Sequence, residues 1–419
     1  MKIILFSNSD HHGGASLTAL NLASALFEYF PKEFCGLYVS RRRYSKPFVY
    51  YFPFSRYLVY PYLRNKLAQY ILSLMSYSNP HVQSLALFPS ALKNIISQYY
   101  RPIVHLHWIN GEFISISDLD GINSPVVWTL HDCWPFLGTE HHDFLSTTDR
   151  FYDVTHSMQA PSQLKGIDLS LWTWKRKLNV YRQLNLHVIC PSNWMKAKAQ
   201  RSLLLKDIPL HVIPNAVDTC TFSTFDRKDA RTALNIHTNK KIIMLSCYGN
   251  SSSDLKGFSF VPEVIRLLAL LDLPIQFLIV GSNSSIPLNT DNIISMGNIH
   301  DPRIMARCYQ SSDLFLSLSK FENLPTVCIE AQSCGVPVFA FDVGGTRDTI
   351  ADESTGFLAS PYELTEIVSA IHQFLVYNTI NGKLFSPVFC RNKTVKRFSF
   401  SSVANQHIEL YRSIENTQL

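Results

Sequence analysis

Two glutamates eight residues apart, Glu322 and Glu330, bracket Pro325 in the segment SLSKFENLPTVCIEAQSCGVPVFAFDVGG. Proline is favoured at the first position of a helix, so Glu322 is expected on the loop before a helix and Glu330 inside it. Eight helical residues rise about 12 Å, comparable with the span from sugar to ribose in a nucleotide sugar, so one carboxylate can serve each end. The N–H groups between Leu324 and Val327 would then face the diphosphate. Read without a ligand, the segment is an ordinary amphipathic helix, which explains its apolar residues and leaves a glutamate on the preceding loop without a reason.

Three other segments carry candidate chemistry. CYGNSSSDLKGF, from Cys247 to Phe258, reads as a strand end, a serine-rich loop, and Lys256-Gly257 opening a helix. A lysine beside a helix N-terminus holds positive charge where a diphosphate leaving group develops negative charge, without a metal; as a solvated surface lysine it has no such role. VVWTLHDCWPF ends a strand in His131 and Asp132. Ligands in open α/β sheets bind at the carboxyl ends of strands, where His131 can hydrogen-bond a sugar hydroxyl or move a proton. SNSDHHGGASLTALNLASAL leads through Gly13 and Gly14 into a helix, and glycines there let a diphosphate or sugar approach the backbone and the helix N-terminus. A plain strand-to-helix turn would read the same. His105, His107 and the pair His141-His142 have no acidic partner at ligand spacing, so no metal site is expected.

These residues need elements to hold them. At 419 residues the chain exceeds what one core organises, so two domains and a cleft are expected. Charged residues are 17% of the chain, below the usual figure of about 25%, and apolar residues are 46%, which builds a sizeable interior and excludes disorder. Short apolar runs alternate with helical-period segments, the pattern of parallel sheets with crossover helices. Strands are predicted at Lys2–Ser7, Gly36–Ser40, Ile103–His107, Val126–His131 and His187–Cys190, and helices at Ala15–Tyr29 and Asn193–Leu204. The polar run Asp218–Lys240 reads as an interdomain linker, and Phe398–Ser413 as one amphipathic helix.

The start, Met1-Lys2 followed by Ile3 to Phe6, is too short for the apolar part of a signal peptide, and Leu267–Val280 is broken by Asp272 and Pro274, so no spanning segment is expected. Nine scattered cysteines without a C-x-x-C pair argue against a disulfide framework or structural zinc and fit a reducing cytosol. The net charge of +6 is uneven, with Arg41, Arg42, Arg43, Lys46, Arg56, Arg64 and Lys66 crowded together. Between Arg41 and Tyr77 basic and aromatic residues interleave, a composition suited to anionic headgroups, with Arg41, Arg42 and Arg43 as the membrane contacts. The other reading is an irregular insert whose aromatics pack inside the first domain. Nothing resembles a nucleic-acid module.

Taken together, the Gly13-Gly14 loop, TLHDCWPF, VIPNAVD from Val212 to Asp218, DLKGF, the Glu322 and Glu330 pair followed by CGVPV, and VGGTRD resemble glycosyltransferase family 4, the retaining GT-B enzymes. HLHW with VVWTLHDCWPF is similar to the branch found in polysaccharide gene clusters, including colanic-acid-type enzymes. The resemblance implies an α/β fold of the GT-B class, two Rossmann-like domains facing across a cleft, with a C-terminal crossover helix. It places an acceptor-binding domain at 1–215, a nucleotide-sugar-binding domain at 216–395, and a helix returning to the first domain at 396–419.

The same resemblance implies that Glu322 holds the donor sugar hydroxyls, Glu330 the ribose, Lys256 the diphosphate and His131 the sugar near the reacting centre. Gly14, Asn215, Gly281, Leu324, Pro325 and Thr326 would complete the donor site, with Gly13, Gly14 and Asp132 on the acceptor side. The family usually has an arginine a few residues before the lysine; here that region is Tyr248–Ser253, leaving Arg347 or another residue to replace it. The implied activity is a hexosyl-type, metal-independent, retaining transfer from a UDP- or GDP-sugar, with no cofactor, to a saccharide acceptor that is lipid-linked. No carboxylate pair is set out as in a glycosidase and no acidic strand-end motif suits a divalent ion. The expected place is the cytoplasm, peripheral on the inner membrane. A catalytically degenerate GT-B scaffold and a sugar-nucleotide epimerase are the alternatives.

Overall fold

A computed structural model describes residues 1–11, 13–52, 59–76, 82–143, 146–152, 165–247, 254–281 and 292–417. The chain divides into two compact units, one made of Met1–Ala216 with Val403–Leu419, the other of Val217–Ser402.

The first unit is built on a seven-stranded sheet. Its strands are β1 (Ile3–Ser9), β2 (Phe34–Arg41), β3 (Val49–Tyr51), β5 (Ile103–Leu106), β6 (Val126–Thr129), β8 (Leu186–Cys190) and β9 (Leu210–Val212), in the order β3-β2-β1-β5-β6-β8-β9. Two short strands, β4 (Met75–Ser76) and β7 (Lys165–Gly166), form a separate antiparallel pair. Every pairing in the large sheet is parallel. β1, β5 and β6 are buried along their whole length, as continuous apolar runs covered on both faces require. The chain steps outward from β1 to β3 and then returns to β5 on the other side of β1, so the loops after β1 and β5 diverge at a topological switch point, the usual ligand position in such sheets. Helices α1 (Gly13–Tyr29), α2 (Val59–Ser73), α3 (Leu92–Ile96), α4 (Leu169–Tyr181) and α5 (Asn193–Arg201) belong to this unit.

The second unit has six parallel strands: β10 (Lys241–Cys247), β11 (Ile275–Gly281), β12 (Ile293–Gly297), β13 (Leu314–Ser317), β14 (Val338–Phe341) and β15 (Gly356–Ala359). Their order, β12-β11-β10-β13-β14-β15, puts a second switch point between β10 and β13. The helices are α6 (Arg227–Ala233), α7 (Val261–Ala269), α8 (Pro302–Ser311), α9 (Thr326–Ser333), α10 (Thr346–Thr349), α11 (Leu364–Tyr377) and α12 (Pro387–Phe398), with a hairpin of β16 (Thr379–Ile380) and β17 (Lys383–Leu384) after α11.

One of these expectations is corrected and another is met. The polar run 218–240 is not a linker: it lies within the second unit and forms α6, whose Arg231 joins Arg227 on the buried Asp313 carboxylate. The helix expected over 398–413 is present, beginning two residues later and separate from the helix before it. α12 ends at Phe398, Ser399 is extended at ψ 158°, and α13 (Phe400–Asn416) restarts after it. From Val403 onward α13 belongs to the first unit, where the Tyr411 hydroxyl lies 2.6 Å from Nδ1 of the buried His105. Among the described residues no helix is long and apolar enough to cross a membrane.

Candidate functional site

In the second unit three successive strand-end loops meet around Glu322. The loop after β10 is described from Asp254 onward; Tyr248–Ser253, where the family arginine was sought, lies outside the described residues. Gly257 holds φ +69°, and a Cβ there would sit 1.8 Å from the Leu318 carbonyl oxygen, so only glycine lets this loop lie against the loop after β13. The backbone N–H of Lys320 donates to the Leu255 carbonyl at 2.8 Å, joining the two loops. Across them Lys256 Nζ lies 2.6 Å from Glu322 Oε1, and Lys320 pairs with Asp254. From the other side, the loop after β14 closes on Glu322. Gly344 holds φ +56°, where a Cβ would stand 1.9 Å from the Glu322 carbonyl oxygen, and the Gly345 N–H donates to that oxygen at 2.9 Å. Arg347, the suggested substitute cation, pairs with Asp342.

Helix α9 begins one residue later than its proline suggests. Pro325 is the N-cap, extended at φ −68° and ψ 105°, and Thr326 is the first helical residue. Only part of the Glu322 to Glu330 interval is therefore helical, and the 12 Å helical rise does not describe it. The N-cap Pro325 makes no side-chain cap hydrogen bond, so the start of α9 beside Glu322 is of the kind that can take an anion. Cys328 and Ile329 turn into the core, and Leu324 before the helix is buried too. Glu330 accepts a hydrogen bond from the Tyr309 hydroxyl at 3.1 Å. Burial raises its carboxyl to about 7, against the opposing pull of that hydrogen bond. Gly281 ends β11 at φ +120°, in register with Cys247 at the end of β10.

In the first unit the ends of β5 and β6 carry a network of histidine, tryptophan and aspartate. His107 Nδ1 and His131 Nε2 are 2.9 Å apart, so one ring supplies the N–H and the other the lone pair. Burial lowers His131 to about 4 and His107 well below the ordinary histidine range, leaving both neutral. The Asp132 carboxylate is already engaged: it accepts from the Trp134 N–H at 3.0 Å, from Trp108 Nε1 at 2.9 Å, and lies 2.6 Å from His141 Nδ1. Burial alone would raise Asp132; the His141 charge and hydrogen bond prevail and lower it to about 2. Asp132 thus orients Trp108 and the turn that presents His131. His105 bonds Thr129 and Tyr411. Asn215 lines a small cavity with Thr18, His107, Thr129 and His407.

At the end of β1, Gly13 and Gly14 are exposed at the start of α1, with nothing within 4 Å of where a Cβ would stand. His12 lies outside the described residues. Buried Asp10, which the sequence did not single out, accepts from the backbone N–H groups of Arg43 at 2.8 Å and Tyr44 at 2.9 Å and from His11 Nδ1 at 2.8 Å. It ties the basic loop to the glycine loop. Arg41 and Arg43 are exposed, while Arg42 stacks over Tyr51 and donates to the Tyr44 and Lys46 carbonyls. Of the aromatic-basic stretch, 53–58 and Tyr77 fall outside the described residues; α2 is a helix that buries Ala68 and Leu72 and leaves Leu63, Leu67, Tyr70 and the following Leu74 exposed at 55, 47, 65 and 49%.

The second unit therefore gathers Lys256, Glu322, Leu324, Pro325, Thr326 and Glu330 at one switch point: a cation, an uncapped helix end and two carboxylates. The first unit gathers His131 with Asp132 at the end of β6, Gly13 with Gly14 at the end of β1, and Asn215 beside His107. Tyr309, Gly344, Trp108 and Asp10 were not singled out; Gly344 in the VGG triplet, Trp108 in HLHW and Asp10 in SNSDHHGG lay inside the motifs quoted, whereas Tyr309 left no signal in the sequence.

The model for Glycosyl transferases group 1 matches residues 226–379, and that for Glycosyltransferase Family 4 matches residues 40–220, so that between them they take in most of the chain. A D-inositol 3-phosphate glycosyltransferase of Segniliparus rotundus is 26% identical over 165 residues, 36% of this chain and 36% of that protein. The lipopolysaccharide core biosynthesis mannosyltransferase LpsB of Rhizobium meliloti is 28% identical over 200 residues, 43% of this chain and 54% of that protein. The chain thus spans between about a third and just over half the length of these relatives. Anabaena Alr3699/HepE, solved in complex with UDP-glucose, shares the fold at a TM-score of 0.63 and 16% identity, over 99% of this chain and 100% of that one.

Proposed function

Because the chain belongs to glycosyltransferase family 4 and has the GT-B fold, we propose that it moves a hexosyl-type sugar from a UDP- or GDP-sugar to a saccharide acceptor. The observation that carries this reading is the convergence of Lys256, Glu322, the uncapped α9 and Glu330 at the switch point of the second unit. Each matches one part of a nucleotide sugar. Glu322 accepts hydrogen bonds from sugar hydroxyls, Lys256 and the first-turn N–H groups of α9 hold the diphosphate, and Glu330 accepts from the ribose hydroxyls. That HepE was solved with UDP-glucose supports a nucleotide sugar as the donor.

In the proposed reaction the bond from the anomeric carbon to the diphosphate oxygen breaks and a bond to the acceptor oxygen forms on the same face, with retention. The acceptor hydroxyl gives its proton to the leaving diphosphate, whose growing charge Lys256 and α9 stabilise without a metal or cofactor. Neutral His131 hydrogen-bonds a sugar hydroxyl and, with its lowered pKa, is no general acid at neutral pH. Gly13 and Gly14 leave room for the acceptor, which is a lipid-linked saccharide of cell-surface polysaccharide synthesis.

The basic loop and the exposed face of α2 suit a peripheral place on the cytoplasmic face of an anionic inner membrane. Donor binding is tested by calorimetry with UDP- and GDP-sugars on the wild type and Glu330→Ala. One nucleotide series should bind, and the variant should lose about tenfold or more in affinity, the scale of a charge-assisted hydrogen bond. Absence of binding by any sugar nucleotide would shift the reading to a degenerate scaffold.

A further inference from the structure

The donor site is electrically closed before any donor arrives. On the three loops that meet at Glu322, each lysine or arginine named above already has a carboxylate: Lys256 has Glu322, Lys320 has Asp254 and Arg347 has Asp342. The first pair differs from the others because both of its members are claimed by the proposed donor, Lys256 by the diphosphate and Glu322 by the sugar. Their side chains are unequally placed: Lys256 is 40% exposed, whereas Glu322 is 10% exposed and has its backbone held by the loop after β14. Lys256 can swing to a new anion. Glu322 stays, and without a cation it is left as a largely buried charge, which is costly.

We infer that the Lys256–Glu322 pair makes the site selective for a nucleotide that carries its sugar over the free nucleoside diphosphate. A bare nucleoside diphosphate must draw Lys256 away from Glu322 and offers that carboxylate nothing in return. A nucleotide sugar, although its diphosphate carries less charge, also draws Lys256 away, and it supplies hydroxyl donors to Glu322, so its binding avoids the stranded charge. After transfer, the sugar has gone and Glu322 competes again for Lys256, which favours expulsion of the spent diphosphate. The pair therefore acts on the ratio of the two affinities rather than on donor binding alone. This inference rests on the donor-site reading above.

The test compares dissociation constants of the free nucleoside diphosphate and its sugar form by calorimetry in wild type, Glu322→Gln, Lys256→Gln and the double variant. Glutamine keeps the shape of Glu322 and removes its charge. Glu322→Gln should bind the free diphosphate about three- to tenfold more tightly, while the preference for the sugar form shrinks by at least that factor. In the Lys256→Gln background the same Glu322→Gln change should leave diphosphate affinity unaltered. Unchanged or weaker diphosphate binding by Glu322→Gln overturns the inference, and so does an equal gain without Lys256. If the wild type binds no nucleotide sugar at all, the donor-site reading itself fails, a distinguishable outcome.

Discussion

Glu330 is the residue whose ionisation the fold has moved into the working range. Its carboxyl titrates at about 7, raised by burial and only partly offset by the Tyr309 hydroxyl. In the proposed donor contact ribose hydroxyls donate to this carboxylate, so the ionised form would be the one that binds. A raised carboxyl holds its proton below its pKa, and donor affinity should therefore strengthen as pH climbs from about 6 to about 8, by up to about tenfold. Tyr309→Phe removes the donor that favours the ionised form and should move the midpoint of this profile upward. Calorimetric titrations across this range check both, and a flat profile would remove Glu330 from the ribose contact. His131, lowered to about 4, contributes no inflection there.

At the scale of elements, what positions Glu322 is the loop after β14. Gly344→Ala would thrust a Cβ to within 1.9 Å of the Glu322 carbonyl oxygen and force an L-residue to φ +56°. The loop must shift, and donor affinity should fall about tenfold or more, while overall stability falls by roughly 1–3 kcal/mol; calorimetry and thermal unfolding separate the two. A variant with donor affinity intact would show that the loop does not set Glu322. The alternation of strands and helices was legible because fully buried parallel strands leave continuous apolar runs such as Ile3–Phe6 and Val126–Thr129. Residues 218–240 misled because a polar surface helix, α6, carries too few apolar positions to look packed, although its arginines close on Asp313 from outside. The start of α13 was legible because a serine there can cap a helix whose later residues are apolar at helical spacing, and Ser399 Oγ accepts from the Ser402 N–H at 3.4 Å.

In the site, Glu322, Glu330 and Lys256 could be singled out by residue type and local spacing. Their companions could not. Lys256 meets Glu322 across 66 residues and Tyr309 meets Glu330 across 21, contacts that depend on strand order and not on any local period. Asp132 was placed on the acceptor side by the resemblance alone; that Trp108, Trp134 and His141 all meet its carboxylate had no local signal.

For the molecule as a whole, charge is distributed more unevenly than the net value of +6 suggests. No Asp or Glu occurs between Glu33 and Glu112, an interval that holds nine lysines and arginines and includes α2. The exposed stripe Leu63, Leu67, Tyr70 and Leu74 sits in this acid-free stretch beside Lys66. The protein should float with vesicles containing anionic phospholipid and stay behind with neutral ones. Arg41, Arg42 and Arg43 changed together to Glu should abolish flotation, each basic residue contributing about 1 kcal/mol at the surface, and Leu67→Ser with Tyr70→Ser should weaken it. Equal sedimentation with and without anionic lipid would refute membrane contact.

The last helix also imposes an order of events during synthesis. His105, buried in the central strand β5, finds its Tyr411 partner 306 residues further along, whereas the second unit is continuous from Val217 to Ser402. On a ribosome the second unit is complete in sequence before α13 emerges, whereas the first unit gains its Tyr411 contact only afterwards. A chain cut short before Val403 should therefore show a first unit more readily cleaved by protease than that of the full chain, with the second unit unchanged.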